Sequence, residues 1–128
     1  MINEQDLAQF YGTVHYHRWS ALFPNMFLTD GVQYIAENGG SNGAFWLMDA
    51  IASHQPEARK IERLQEMQFW TLKVNPDKSA VLTCQIDCDI PPSITQKIPY
   101  TDFDMEKVEL WVGPADENIY IIYLPSEH

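Results

Sequence analysis

The sequence predicts an α+β fold, with an antiparallel sheet of about five strands and two or three helices packed on one face. Three observations carry this. Apolar residues recur at helical spacing only before residue 65, and from residue 66 onward they alternate with polar ones at a period of two. Helices followed by a run of strands point to a helical layer on one side of an antiparallel sheet. The chain of 128 residues, 45% hydrophobic with six Phe, six Tyr and four Trp, suits a single domain spanning residues 1–128 with one core.

Asn3 opens a short helix whose apolar stripe is Leu7, Phe10 and Tyr11, with Gly12 at its end. A strand through Val14–Trp19 follows, and ALFPNMFL reads as a turn at Pro24–Asn25 feeding a short extended piece. TDGVQYIAENGG carries a helix start, Asp30 with Gln33 three residues on as a capping box, and Val32, Ile35 and Ala36 face inward. GGSNG turns the chain, with Ser41 or Asn42 as the next N-cap. A second helix then runs from about Gly43 to Gln55 with Ala44, Leu47, Met48, Ile51 and Ala52 as its stripe. Pro56 interrupts, and Glu57–Leu64 forms a further charged helical turn or two.

Trp70, Leu72 and Val74 alternate along the next strand and NPDKS turns. Residues 80–90 form another strand, with Leu82, Cys84, Ile86, Cys88 and Ile90 on one face. Positions i and i+4 of a strand are about 13 Å apart, so Cys84 and Cys88 read as two small core thiols rather than a disulfide. KIPYTDF reads as an edge strand, and Val108, Leu110 and Val112 line another. GPADEN turns, and Ile119–Leu124 is apolar on both faces, as an interior strand is.

Net charge is −10, and residues 65–128 hold eleven acids and four bases against seven and four in residues 1–64. Such a surface disfavours the phosphate backbone of nucleic acids and anionic membranes. No apolar run is long enough to cross a bilayer, and the acids of MINEQDLAQF stand where a signal peptide carries positive charge. A cytoplasmic protein is expected.

Three stretches, LAQFYGT, then LTDGVQYIAENGG with GAFWLMDAIASHQ, then IPYTDF with a terminal YLPSE, resemble a family of small uncharacterised bacterial proteins. That family is a domain of unknown function whose members also occur in phages and plasmids. The resemblance spans nearly the whole chain and implies a link with mobile elements. It brings no activity, cofactor or site residue.

HYHRW places His15 and His17 on one face of an extended strand, roughly 7 Å apart. A catalytic metal needs a third protein ligand, and neither HExxH nor CxxC accompanies the pair. Two solvent-facing histidines are the commoner outcome, so no metal and no cofactor is expected. GGSNG lacks the preceding strand and the following Lys-Ser/Thr of a phosphate loop and reads as a helix–helix turn. Trp46 and Asp49, three apart on the second helix, share a flank off the core stripe.

TDFDMEKVELW collects Asp102, Asp104, Glu106 and Glu109 within eight positions, and alternation puts Trp111 on the face of Glu109. Acids on an edge strand also guard against sheet-to-sheet pairing. The reading that combines these is a non-enzymatic interaction or accessory protein. Its acidic, aromatic-bearing surface of Asp102, Asp104, Glu109 and Trp111 would meet a basic protein partner. The alternative is a small-molecule-binding protein or enzyme with a pocket near Trp46, Asp49 and His54. No motif specifies an oligomeric state.

Overall fold

A computed structural model describes residues 16–41, 43–87, 89–116 and 119–127. The helix expected over Asn3–Gly12 lies outside the described residues, as do His15 and Cys88. Ten elements follow one another: β1 (Met26–Leu28), α1 (Asp30–Asn38), α2 (Phe45–Ser53), α3 (Gln55–Ala58), α4 (Glu62–Glu66), β2 (Gln68–Val74), β3 (Ala80–Gln85), β4 (Ile94–Ile98), β5 (Lys107–Asp116) and β6 (Ile119–Tyr123). A 3₁₀ turn, Pro125–Glu127, closes the described chain. No helix among the described residues is long and apolar enough to cross a membrane.

The strands form one six-stranded sheet in the order β1-β6-β5-β2-β3-β4. All pairs are antiparallel except β1 with β6, which run parallel, Phe27 opposite Ile121. Alternation sorts the side chains as the sequence predicts. Trp70, Leu72, Leu82, Cys84, Val108, Leu110 and Ile122 are buried on one face with Val32, Ile35, Leu47, Met48 and Ile51 of the helices. The α+β architecture with helices on one face is thus as expected, with one strand more.

Several boundaries shift for local reasons. Among residues 16–19, expected as strand, there is only a single antiparallel bridge from His17 to Leu28. β3 stops at Gln85 rather than at 90. A turn closed by Ile90 N–H to the Asp87 carbonyl ends it, and Pro91–Pro92 follow without donors for a ladder. The edge strand is Ile94–Ile98 rather than KIPYTDF, because Pro99 has no N–H to continue it. Residues 99–106 are therefore loop, which removes Asp102 and Asp104 from any strand face. Conversely, Gly113 and Pro114 lie inside β5, with a register shift between Pro114 and Asp116 where a turn was expected.

The helix ends also differ from expectation. The residue before α1 is Thr29, and it makes no side-chain cap, while Gln33 bonds to Glu37 at 2.6 Å instead of forming a capping box. The free N–H of Gly31 is satisfied from the far end of the chain, by Glu127 Oε2 at 3.1 Å. Glu127 Oε1 also accepts from Thr29 Oγ1 at 2.6 Å and from Leu124 N–H at 3.0 Å. Pro56 starts α3 rather than breaking a helix, since it sits in the first turn where a missing N–H costs nothing.

Four polar residues are buried among the described residues: Thr29, Gln55, Gln68 and Thr101. Gln55 and Gln68 exchange reciprocal amide hydrogen bonds of 2.8 and 2.9 Å. Gln68 Oε1 also accepts from Trp70 Nε1 at 2.9 Å, and its Nε2 donates to the Leu64 carbonyl at 3.1 Å. This network joins α3, α4 and β2 where backbone and side-chain groups would otherwise be buried without partners. Cys84 is buried and free, and burial pushes its thiol up to about 12. A thiol so placed behaves as a small core side chain.

Candidate functional site

The inward stripe of α2 leaves Trp46, Asp49, Ala50 and Ser53 on the opposite flank. The turn at 20–25, held by Phe23 N–H to the Ser20 carbonyl at 3.2 Å, folds over that flank. Trp19 Nε1 donates to Asp49 Oδ1 at 2.9 Å, and the Trp19 ring stacks on Phe23 with centroids 5.9 Å apart. Across from α2 stands β4, the last strand of the sheet. The result is an open groove of about 510 Å³ with Phe23, Trp46 and Ala50 on one side and Gln96, Ile98 and Pro99 on the other.

Most of the groove is apolar, with Asp49, Ser53, Gln96 and Lys97 as its polar members. Leu22 is 83% exposed and lines it, and Tyr100, 69% exposed, directly follows Pro99. These are two of the three most exposed large hydrophobic side chains among the described residues, the third being Tyr16. Isolated exposed apolar residues are ordinary, but Leu22 lines the same groove as Phe23 and half-buried Trp46. Ser53 Oγ donates to the Ala50 carbonyl and Asp49 accepts from Trp19. Asp49 and Ser53 are thus engaged within the chain, while Lys97, exposed, also lines the groove.

His54, expected beside Trp46 and Asp49, caps the end of α2 behind the groove wall. Its Nε2 lies 2.7 Å from Gln96 Oε1, its Nδ1 3.4 Å from Glu57, and its ring stacks on Trp70 at 5.8 Å. It positions Gln96 and ties the end of α2 to the edge strand.

The acidic residues separate. Asp102 accepts hydrogen bonds from the backbone N–H and hydroxyl of Ser41, and Asp104 from the Gly40 N–H at 3.3 Å. Both fasten the α1–α2 turn, in which Gly40 and Gly43 adopt φ values of 99° and 81°. A Cβ on Gly40 would meet Asp102 Oδ1 at 2.5 Å, so the turn needs glycine for both its conformation and the close approach. Ser41 therefore serves Asp102 rather than capping α2, and Asn42 is outside the described residues. Glu109 and Trp111 do share a face, the one away from the helices. There Glu109 pairs with Lys107 at 3.5 Å, and half-buried Trp111 meets Phe69 and Tyr123 edge-on at 5.1 and 6.2 Å. The single surface expected from Asp102, Asp104, Glu109 and Trp111 is not assembled, because the first two face the helix layer.

Ser41's hydroxyl, and then its N–H, hold the Asp102 carboxyl below the usual carboxylate range. A depressed folded value stabilises fully above the ordinary value of about 4 and is lost as pH falls through the lowered one. Asp102→Asn should therefore lower the urea midpoint at pH 7. Its deficit against the native protein should shrink at pH 3 and below, as the native carboxyl also protonates. A deficit independent of pH would mean that the charge of Asp102 does not matter.

His17 Nε2 lies 2.9 Å from Asp30 Oδ1, close to the start of α1. No group of three or more His, Cys, Asp or Glu side chains placed to hold a metal occurs among the described residues. The residues that sequence reasoning passed over are Leu22, Phe23 and Gln96, which join Trp46 in one groove only through the fold, and Arg59, which lines the recess beside it. The one local signal was the apolar pair before Pro24.

No curated protein and no solved structure matches the chain. A family model does match, over residues 1–128. The chain belongs to DUF6876, a family of unknown function.

Proposed function

We propose that the protein is a non-enzymatic interaction protein that holds an extended segment of a partner protein in the groove between α2 and β4. The observation that carries this reading is the groove itself, an open and mostly apolar channel lined by exposed Leu22 and half-buried Trp46. Binding hot spots favour such aromatic anchors. The neighbouring edge strand adds backbone groups on its unpaired side, to which an extended segment can align. An open channel of this kind suits a chain better than a small molecule, which pockets enclose on most sides. The resemblance to phage and plasmid proteins supports an accessory role connected with mobile elements.

The test is site-specific crosslinking in a bacterial host, with a photoreactive residue at Leu22 or, as control, at Lys73 on the opposite face. The expected result is one partner captured from position 22 and not from 73, with capture reduced about tenfold by Trp46→Ala, the worth of a modest hot spot. Glu109→Ala discriminates the alternative of a basic partner on the Glu109–Trp111 face. Capture from position 73 that depends on Glu109, or capture from 22 that ignores Trp46, would overturn the reading.

A further inference from the structure

A second recess of about 300 Å³ shares Leu22, Phe23 and Ser53 with the groove and extends past Asn25 to Arg59. Arg59 is held there in a way unusual for a cation in a chain with eighteen acids. Its guanidinium carbon lies 3.8 Å from the centroid of the Tyr120 ring, and Tyr120 is fixed in turn by its hydroxyl donating to the Gln65 carbonyl. The Nε is buried without a hydrogen-bond partner among the described residues. The ion pairs among those residues join His17 to Asp30, His54 to Glu57 and Lys107 to Glu109, and none includes Arg59. Burial lowers its proton affinity, as expected of a cation taken from water without an anion. An arginine nonetheless stays charged, and stacking on an aromatic ring leaves its in-plane edge, here the terminal Nη groups rather than the buried Nε, to meet a carboxylate.

We propose that Arg59, in the recess that adjoins the groove, is the polar anchor of the bound segment. It takes the carboxylate of an Asp or Glu side chain in the partner segment, while apolar neighbours of that residue lie along Leu22, Phe23 and Trp46. This rests on the groove as the binding surface and names the chemistry of its partner, an apolar segment with one acid. A net charge of −10 repels acidic chains in general. The recess therefore accepts a carboxylate only in register with the apolar contacts, which gives selectivity as well as affinity.

The probe is two pools of end-blocked hexapeptides, randomised over apolar residues with one fixed Glu or, in the second pool, one fixed Gln. Both are passed over the immobilised full chain and retention is read by mass spectrometry. Blocked ends exclude binding through a terminal carboxylate. The Glu pool should be retained about tenfold over the Gln pool, the worth of one charge-assisted contact. Arg59→Met should erase that ratio. Arg59→Lys, which keeps the charge and the packed stem but not the fork, should reduce it without erasing it, and thermal melts confirm that both variants fold. Equal retention of the pools, retention of neither, or a Glu preference that survives Arg59→Met overturns the proposal. Equal retention that Trp46→Ala abolishes removes Arg59's role alone and leaves the groove as the binding site.

Discussion

Replacing Gln68 with leucine is expected to destabilise the protein by about 3 kcal/mol or more, since two or more buried polar groups each lose a partner at about 1–3 kcal/mol. Leucine matches glutamine closely in volume, so no cavity offsets or adds to the effect. What is lost is the acceptor for Trp70 Nε1, one half of the reciprocal pair with Gln55, and the donor to the Leu64 carbonyl. All of these lie between α3, α4 and β2, beneath the layer that carries the groove. The double variant Gln55→Leu with Gln68→Leu should recover part of the loss, because removing both amides leaves fewer orphaned groups than removing one. Urea unfolding of the two single variants and the double variant measures this. Additive losses would mean that the two amides act independently, against the reciprocal geometry.

The second large effect is expected at the opposite end of the helix layer. Glu127→Ala should cost about 2 kcal/mol, the usual worth of hydrogen bonds to a charged acceptor. It removes the carboxylate that accepts from Thr29, from the Gly31 N–H at the start of α1, and from Leu124. The negative charge also sits at the positive end of the α1 dipole. Glu127→Gln, which keeps one acceptor oxygen but not the charge, should lie between alanine and the native residue. Hydrogen exchange sharpens the test. Protection should fall first at Gly31 and Val32, whereas a uniform loss along the chain would assign Glu127 a general role instead.

Neither of those residues announces itself in the sequence. Gln68 falls just after the change of period, and Glu127 is a single acid in the terminal YLPSE. Their roles depend on partners thirteen and ninety-six residues away, Gln55 and Gly31. Periodicity records which face a side chain takes, because that follows from backbone geometry within a few residues. This is why the stripes of α1 and α2, the alternation of β2, β3 and β5, and the shared face of Glu109 and Trp111 were legible. It is also why the α+β class followed from the change of period near residue 66. The same local logic overran at residues 86–90 and 99–104, where alternation continues but Pro91, Pro92 and Pro99 deny the ladder its donors.

The candidate site divides in the same way. Trp46 and Asp49 were recognisable as a flank, because three residues on a helix bring side chains together regardless of what lies elsewhere. The sequence by itself thus determined the fold class, the inward faces and the acidic balance. Only the tertiary structure decided that the turn at Leu22–Phe23 crosses α2, that β4 becomes the opposite wall, and that Arg59 lies over Tyr120 without an acid. It likewise turned Asp102 and Asp104 toward the α1–α2 turn and left Trp111 among Phe69 and Tyr123. These are contacts between distant segments, chosen by the packing of the whole core and the need to partner each buried polar group, and no spacing along the chain encodes them.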